Sequence, residues 1–239
     1  MAVVLGKPSL AAEPPSIGRL FQDRLGAAEI RRRAHHMLPG FLPLLLWVVP
    51  HPHPWLVTLV VAAVIVAAAI VTVVRFHCMQ REREGRTDCL VAVVGYAGSV
   101  LAALLLFAPH VEVAFLVLGV LAFGDGSATL GGLLFGGRRL PWNHTKTVVG
   151  TACFLLVGAP MAAVLYWVDA HAHWAASSHD LALDAHPTAF VVALAIALVT
   201  TGAAAIAESL PSRTNDNLRV GVVAALSASL MQLLLVGWP

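Results

Sequence analysis

WLVTLVVAAVIVAAAIVTVV, residues 55–74, carries no charged side chain along its whole length. A helix needs about 20 apolar residues to cross the hydrocarbon core of a bilayer, so this stretch predicts a membrane-crossing helix and sets the terms for its neighbours. Outward from it, further apolar runs lie at 37–53, 89–108, 111–134, 148–168, 187–207 and 218–237. The run at 37–53 is crowded by Pro39, Pro43, Pro50 and Pro52, with Pro54 just beyond it, and the run at 111–134 is interrupted by Gly124-Asp125-Gly126. The remainder of the chain agrees. Of its 239 residues, 59% are hydrophobic and only 12% charged, against roughly 25% charged in a soluble domain. The net charge of +2 offers nothing for nucleic acid to bind.

The placement of positive charge predicts an orientation. Lys7, Arg19, Arg24, Arg31, Arg32 and Arg33 precede the first run; Arg75, Arg81, Arg83 and Arg86 lie between the second and third. Arg138, Arg139 and Lys146 follow the fourth, and Arg213 and Arg219 separate the sixth from the seventh. The alternate connections at 50–54, 108–112 and 169–186 hold none. The positive-inside rule then predicts an all-α, polytopic membrane bundle of about seven transmembrane helices, N-terminus cytoplasmic and C-terminus outside. Trp47, Trp55, Trp167 and Trp238 fall near the expected outer interface, as an aromatic belt does. Residues 1–28 read as a cytoplasmic arm with an interfacial helix around Ile17 to Leu25, and 29–239 as one membrane-embedded domain. Cys78, Cys89 and Cys153 have no paired spacing and read as small apolar packers.

Four polar clusters fall on the predicted cytoplasmic side. Glu29, Arg32, Arg33 and His36 sit at i, i+3, i+4 and i+7, one face of a helix. Asp125 lies about 14 residues from the outer end of its span, roughly 20 Å deep at 1.5 Å per residue. A carboxylate at that depth requires a polar cavity, a cation or a partner, and its flanking glycines are able to break the helix. Residues 131–151 add glycines, Arg138, Arg139, Asn143, Lys146, Thr147 and Gly150, the materials of a polyphosphate site built from backbone N–H groups and an ammonium. Their spacing is not that of a Walker A loop. Glu208, Asp216 and Asn217 supply oxygen ligands of the type Mg²⁺ takes, with helix capping by Asp216 or Asn217 as the alternative role. On the outer side, His171, His173, His179 and His186 with Asp169, Asp180 and Asp184, and His51 with His53, read as solvated loops rather than as a zinc or copper site.

The ordered set of clusters resembles the membrane kinases of lipid alcohols: phytol kinase, dolichol kinase and CTP-dependent diacylglycerol kinase, relatives of the phosphatidate cytidylyltransferases. The family's E-x-x-R-K-x-x-H-x-x-x-G is matched by Glu29, Arg32, Arg33, His36 and Gly40. Its G-D-x-x-A-x-x-x-G, followed by G, P and K-S-x-E-G, is matched by Gly124, Asp125, Ala128, Gly132, Gly136, Pro141, Lys146, Thr147 and Gly150. Its final glutamate and D-N-x-x-x-P are matched by Glu208, Asp216 and Asn217. The chain departs from the pattern at Val149, where the family has glutamate, at Gly221, where it has proline, and at Thr147, where it has serine.

The resemblance implies an inner-membrane enzyme with its site facing the cytoplasm, transferring a phosphoryl group from CTP or ATP to a lipid alcohol. It implies Asp125 and Asp216 on Mg²⁺ with Glu208 and Asn217 in support, and Lys146, Arg139 and the backbone from Gly132 to Gly136 on phosphates. Asn143, Thr147 and Gly150 belong to the same nucleotide-binding stretch. It further implies Arg32 and Arg33 beside the transferred group and His36 at the lipid hydroxyl. Cytidylyl transfer to phosphatidate is the neighbouring expectation. A small-solute transporter or a non-catalytic lipid-binding protein is the expectation of another class, since an acid beside a helix break also marks transport pathways.

Overall fold

A computed structural model of the protein describes residues 17–46, 54–75, 86–108, 110–177 and 188–237, and every regular element among them is helical. In chain order they are α1 (Ile17–Met37), a 3₁₀ turn (Leu38–Phe41), α2 (Leu42–Leu46), α3 (Pro54–Val74), α4 (Arg86–Leu106), α5 (Val111–Gly119), a π-helical turn (Val120–Asp125), α6 (Gly126–Phe135), α7 (Val148–Ser177), α8 (Phe190–Ser209) and α9 (Asp216–Leu235). Residues 1–16 of the expected arm, Trp47, His51, His53, Cys78, Arg81, Arg83, residues 178–187 and Trp238 lie outside the described residues, as do the side chains of Cys89, His171 and His173.

Among the described residues five helices are long and apolar enough to cross a membrane: Trp55–Val74, Val111–Phe135, Val148–Ala170, Phe190–Ser209 and Asp216–Leu235. They match five of the seven expected runs. The run at 89–108 is also helical, with an apolar stretch of 17 residues at Leu90–Leu106. The run at 37–53 is not one helix as far as it is described. Met37 ends α1, Pro39 is the second residue of a 3₁₀ turn, and α2 is five residues long. Proline removes a helical donor and clashes with the preceding turn, which accounts for the break. α1 itself kinks at Gly26, where φ is 66°.

The span Val111–Phe135 is the axis of the bundle: 89% of it is buried, against 22–44% of the other four. α7, α4 and α9 pack around it, α8 lies between α7 and α9, and α3 rests on the outside against α4. Phe115, Leu116, Leu118, Leu121, Phe154, Leu165 and Ile196 are fully buried at its centre. The outer helices turn apolar side chains away from the bundle, Leu156 at 76% exposure and Val191 at 70%, a surface that suits lipid better than water.

Gly124-Asp125-Gly126 does not break the central helix. The helix widens for one turn, Val120–Asp125, and continues as α6. Such π turns recur at functional sites. The glycines serve close packing instead. A Cβ on Gly158 of α7 would lie 2.8 Å from the Gly124 Cα, and one on Gly124 would lie 2.8 Å from the Phe154 ring. α7 therefore presses directly against the turn that carries Asp125.

Candidate active site

Three segments deliver their polar residues to the π turn that carries Asp125. On α1, Glu29 accepts from Arg33 Nε at 3.1 Å and lies 3.6 Å from Arg32 Nε. The i+3 and i+4 spacing read from the sequence thus becomes a carboxylate that holds two guanidinium groups in place. One turn on, His36 Nε2 meets the Leu121 carbonyl at 3.0 Å and Asp125 Oδ2 at 3.2 Å. Both partners are acceptors, so Nε2 carries the proton and, in the neutral ring, Nδ1 holds the lone pair. Gly40 lets the turn after α1 reach the central helix: a Cβ there would stand 2.6 Å from the Phe123 ring.

The second segment is the loop after α6. Gly136 and Gly137 have φ of 64° and 103°, conformations that favour glycine, and they turn the chain back on itself. Arg139 and Thr147 pair as an isolated antiparallel bridge, with Leu140 N–H donating to Lys146 O at 3.0 Å. Asn143 Oδ1 accepts from both N–H and Oγ1 of Thr145, while its Nδ2 donates to Ser209 O at 3.1 Å. Trp142 adds a second tie to the end of α8 through Ser209 Oγ. The third segment is that end of α8 together with the start of α9. Asn215 caps α9 by accepting from Leu218 N–H at 3.1 Å, a role the sequence reading gave to Asp216 or Asn217. Asp216 is left to face Lys146 at 3.0 Å and Arg219 at 2.9 Å.

Lys146 stands between Glu208 and Asp216 and donates to both. Burial alone would lower its ammonium, but the Glu208 and Asp216 carboxylates outweigh that and hold it above its ordinary value. Burial lowers the Arg33 guanidinium, with Asp125 and Glu29 working against the shift.

Arg32, Arg33, His36, Asp125, Arg139, Lys146, Glu208 and Asp216 line one cavity of about 1180 Å³. Arg32, Arg33, Arg139 and Lys146 bring four cations; Asp125, Glu208 and Asp216 bring three carboxylates. An apolar part of the lining is built by Val64, Ala68 and Val71 of α3 with Ala92, Val93 and Ala97 of α4. Of the residues singled out in the sequence, Asp125, Lys146, His36, Arg32, Arg33, Gly132, Gly136, Arg139, Thr147, Gly150, Glu208, Asp216 and Asn217 all line it.

Their roles differ in part from the expectation. Asn143 is not among the lining residues; its amide is spent holding the loop to α8. The N–H of Gly136 donates to Gly132 O and that of Gly150 to Thr147 Oγ1, so these glycines give room rather than a cradle of amides. Asn217 Nδ2 donates to Ala92 O and ties α9 to α4. Val149, which stands where the lipid alcohol kinases carry glutamate, packs on Gly137. Gly221 lets α9 lie against Ser99, and Cys153 packs on Gly131 of α6. Tyr96, which the sequence did not mark, lines the same cavity with its ring edge-on to His36 at 4.8 Å. It sits in an apolar helix with no charge near it in sequence, so no pattern signalled it.

Among the described residues no three carboxylate, imidazole or thiol groups converge as a ready-made metal cage. Mg²⁺ does not require one: it keeps several waters and binds through one or two carboxylates together with substrate phosphates. Asp125 and Asp216 line the same cavity as four cations, a donor set that fits that mode of binding.

Comparison with protein-family models, curated proteins and solved structures finds no match to this chain.

Proposed function

We propose that the protein is a membrane-embedded kinase that transfers a phosphoryl group from a nucleoside triphosphate, CTP or ATP, to the hydroxyl of a lipid alcohol. The observation that carries this reading is a single cavity with a charged end and an apolar wall. A polyphosphate needs the first and a hydrocarbon chain the second, and phosphoryl transfer between them is mostly positioning and charge neutralisation. The motif resemblance to the lipid alcohol kinases supports the same reading.

In this proposal the chain crosses the inner membrane about seven times, N-terminus inside, with the cavity open to the cytoplasm. Lys146, Arg139, Arg32 and Arg33 bind the phosphates. Asp125 and Asp216 would hold Mg²⁺, which supplies charge neutralisation at the phosphates. Asp125 also orients His36 through Nε2, which turns Nδ1 toward the alcohol as the proton acceptor. The alcohol oxygen attacks the γ-phosphorus, the bond to the bridging oxygen breaks, the nucleoside diphosphate leaves, and the proton passes to His36.

The test uses purified protein in detergent with Mg²⁺, γ-labelled CTP or ATP, and a mixture of isoprenoid alcohols and diacylglycerol. A labelled lipid phosphate that falls at least 100-fold in Asp125→Asn is the expected result, the loss typical of a group acting on transition-state charge. Pyrophosphate release with phosphatidate, and no labelled lipid, would replace this reading with cytidylyl transfer.

A further inference from the structure

The chain has two tyrosines, and the structure treats them differently. Tyr166 is buried at the far end of the bundle, and its hydroxyl donates to Gln232 Oε1, which belongs to a network with Glu112 and His110. Tyr96 has a buried hydroxyl with no hydrogen-bond partner among the described residues. A buried phenol normally finds a partner, and leaving one unmade costs stability. The orphan is also well placed. Tyr96 lines the cavity, its ring edge rests on the His36 imidazole, and its hydroxyl lies within Coulomb reach of Asp125. On α4 it is flanked by Ala92, Val93 and Ala97, all part of the apolar wall. The unused donor therefore sits where the charged end of the cavity meets the apolar one.

We infer that Tyr96, His36 and Asp125 form a hydroxyl-binding subsite in which the Tyr96 hydroxyl donates to the oxygen of a long-chain alcohol, whose chain lies along the α3–α4 wall. The inference rests on the lipid-alcohol reading above and names the group that selects the acceptor. The alcohol oxygen accepts from Tyr96 and its own proton points to His36 Nδ1, so an alcohol satisfies both while a hydrocarbon satisfies neither. A site built to bond a hydroxyl rejects analogues that lack it, because its own polar groups are then left buried and unpaired.

The experiment compares wild-type protein with Tyr96→Phe in detergent. Thermal unfolding is measured without ligand, and binding is measured for farnesol and for its saturated hydrocarbon, farnesane. Tyr96→Phe keeps the ring against His36 and removes only the unpaired hydroxyl, so the ligand-free variant is expected to unfold at the same temperature or higher. Its affinity for farnesol is expected to fall about tenfold, the loss of one hydrogen bond, with farnesane unchanged. Equal farnesol binding in the two proteins overturns the subsite, as does a wild type that prefers farnesol no more than farnesane. A variant that is destabilised or fails to fold also overturns it, because the hydroxyl would then have a partner inside the protein. Tyr96-dependent alcohol binding without phosphoryl transfer would keep the subsite and remove the kinase. Phosphoryl transfer with unaltered farnesol affinity in the variant would do the reverse.

Discussion

Lys146 carries two burdens that are separable. Its ammonium neutralises Glu208, whose side chain is only 3% exposed, and in the proposed reaction it also binds phosphate. Removing it should therefore damage both stability and activity. Lys146→Met leaves a buried carboxylate without its partner, a loss of about 3–5 kcal/mol. Adding Glu208→Gln removes the stranded charge. Thermal unfolding should recover most of its midpoint in the double variant, while phosphoryl transfer stays down by about 10²-fold or more. Recovery of activity along with stability would mean that Lys146 is scaffold only.

The sequence made Lys146 visible because a charge between two apolar runs stands out, and the same contrast marked Asp125, His36 and Glu208. It misled at Asn143, where residue type and neighbourhood suggested a phosphate ligand. The Asn143 amide is consumed by Thr145 and Ser209, and a bond to a residue 66 positions away in the chain leaves no local trace.

At the scale of an element, the π turn decides where Asp125 points. Its position depends on α7 lying against it through Gly158. Gly158→Ala would set a Cβ 2.8 Å from the Gly124 Cα and 3.2 Å from Thr201 Cγ2. Backbone cannot step aside as a flexible side chain does, so overpacking of about 1–3 kcal/mol is expected. Activity should fall further than stability, because the displaced turn carries the carboxylate. Gly202 of α8 is the contrast: a Cβ there meets nothing within 4 Å. Gly202→Ala should leave activity intact and raise stability by about 0.5–1 kcal/mol, the helix-interior difference between the two residues. Thermal unfolding of both variants in one detergent, followed by the phosphoryl-transfer assay, checks the pair.

The glycines around Asp125 were legible as a local peculiarity, but not as a widened turn. A helix break and a π turn call for the same small residues, and only the partner helix distinguishes them. The glycine-rich stretch after α6 was likewise legible as irregular backbone. Gly136 and Gly137 turn the chain through their positive φ, and the Gly136 N–H is spent on Gly132 O.

At the scale of the whole molecule, apolar length made readable from the sequence the five helices among the described residues that are long and apolar enough to cross a membrane. The proline-rich run at 37–53 resembled a span in composition, yet its described part is a helix end, a turn and a short helix. Composition counts apolar residues and is blind to the donors that proline removes. Orientation is the remaining global quantity, and the proposed chemistry depends on it, because nucleoside triphosphates are a cytoplasmic supply.

α8, Phe190–Ser209, is 20 residues long, so its ends lie roughly 30 Å apart. Arg213, just past one end, is exposed on the side of the cavity, and Ala189 is exposed at the other. In a background with Cys78, Cys89 and Cys153 replaced, Arg213→Cys should react with a membrane-impermeant thiol reagent only after the membrane is opened, and Ala189→Cys should react in intact cells. The inverted pattern would place Lys146, Asp125 and the arginines proposed to bind phosphate on the outer side. The kinase reading would then lose its donor, whatever the geometry of the site, and a substrate presented from outside would have to explain the charged end of the cavity.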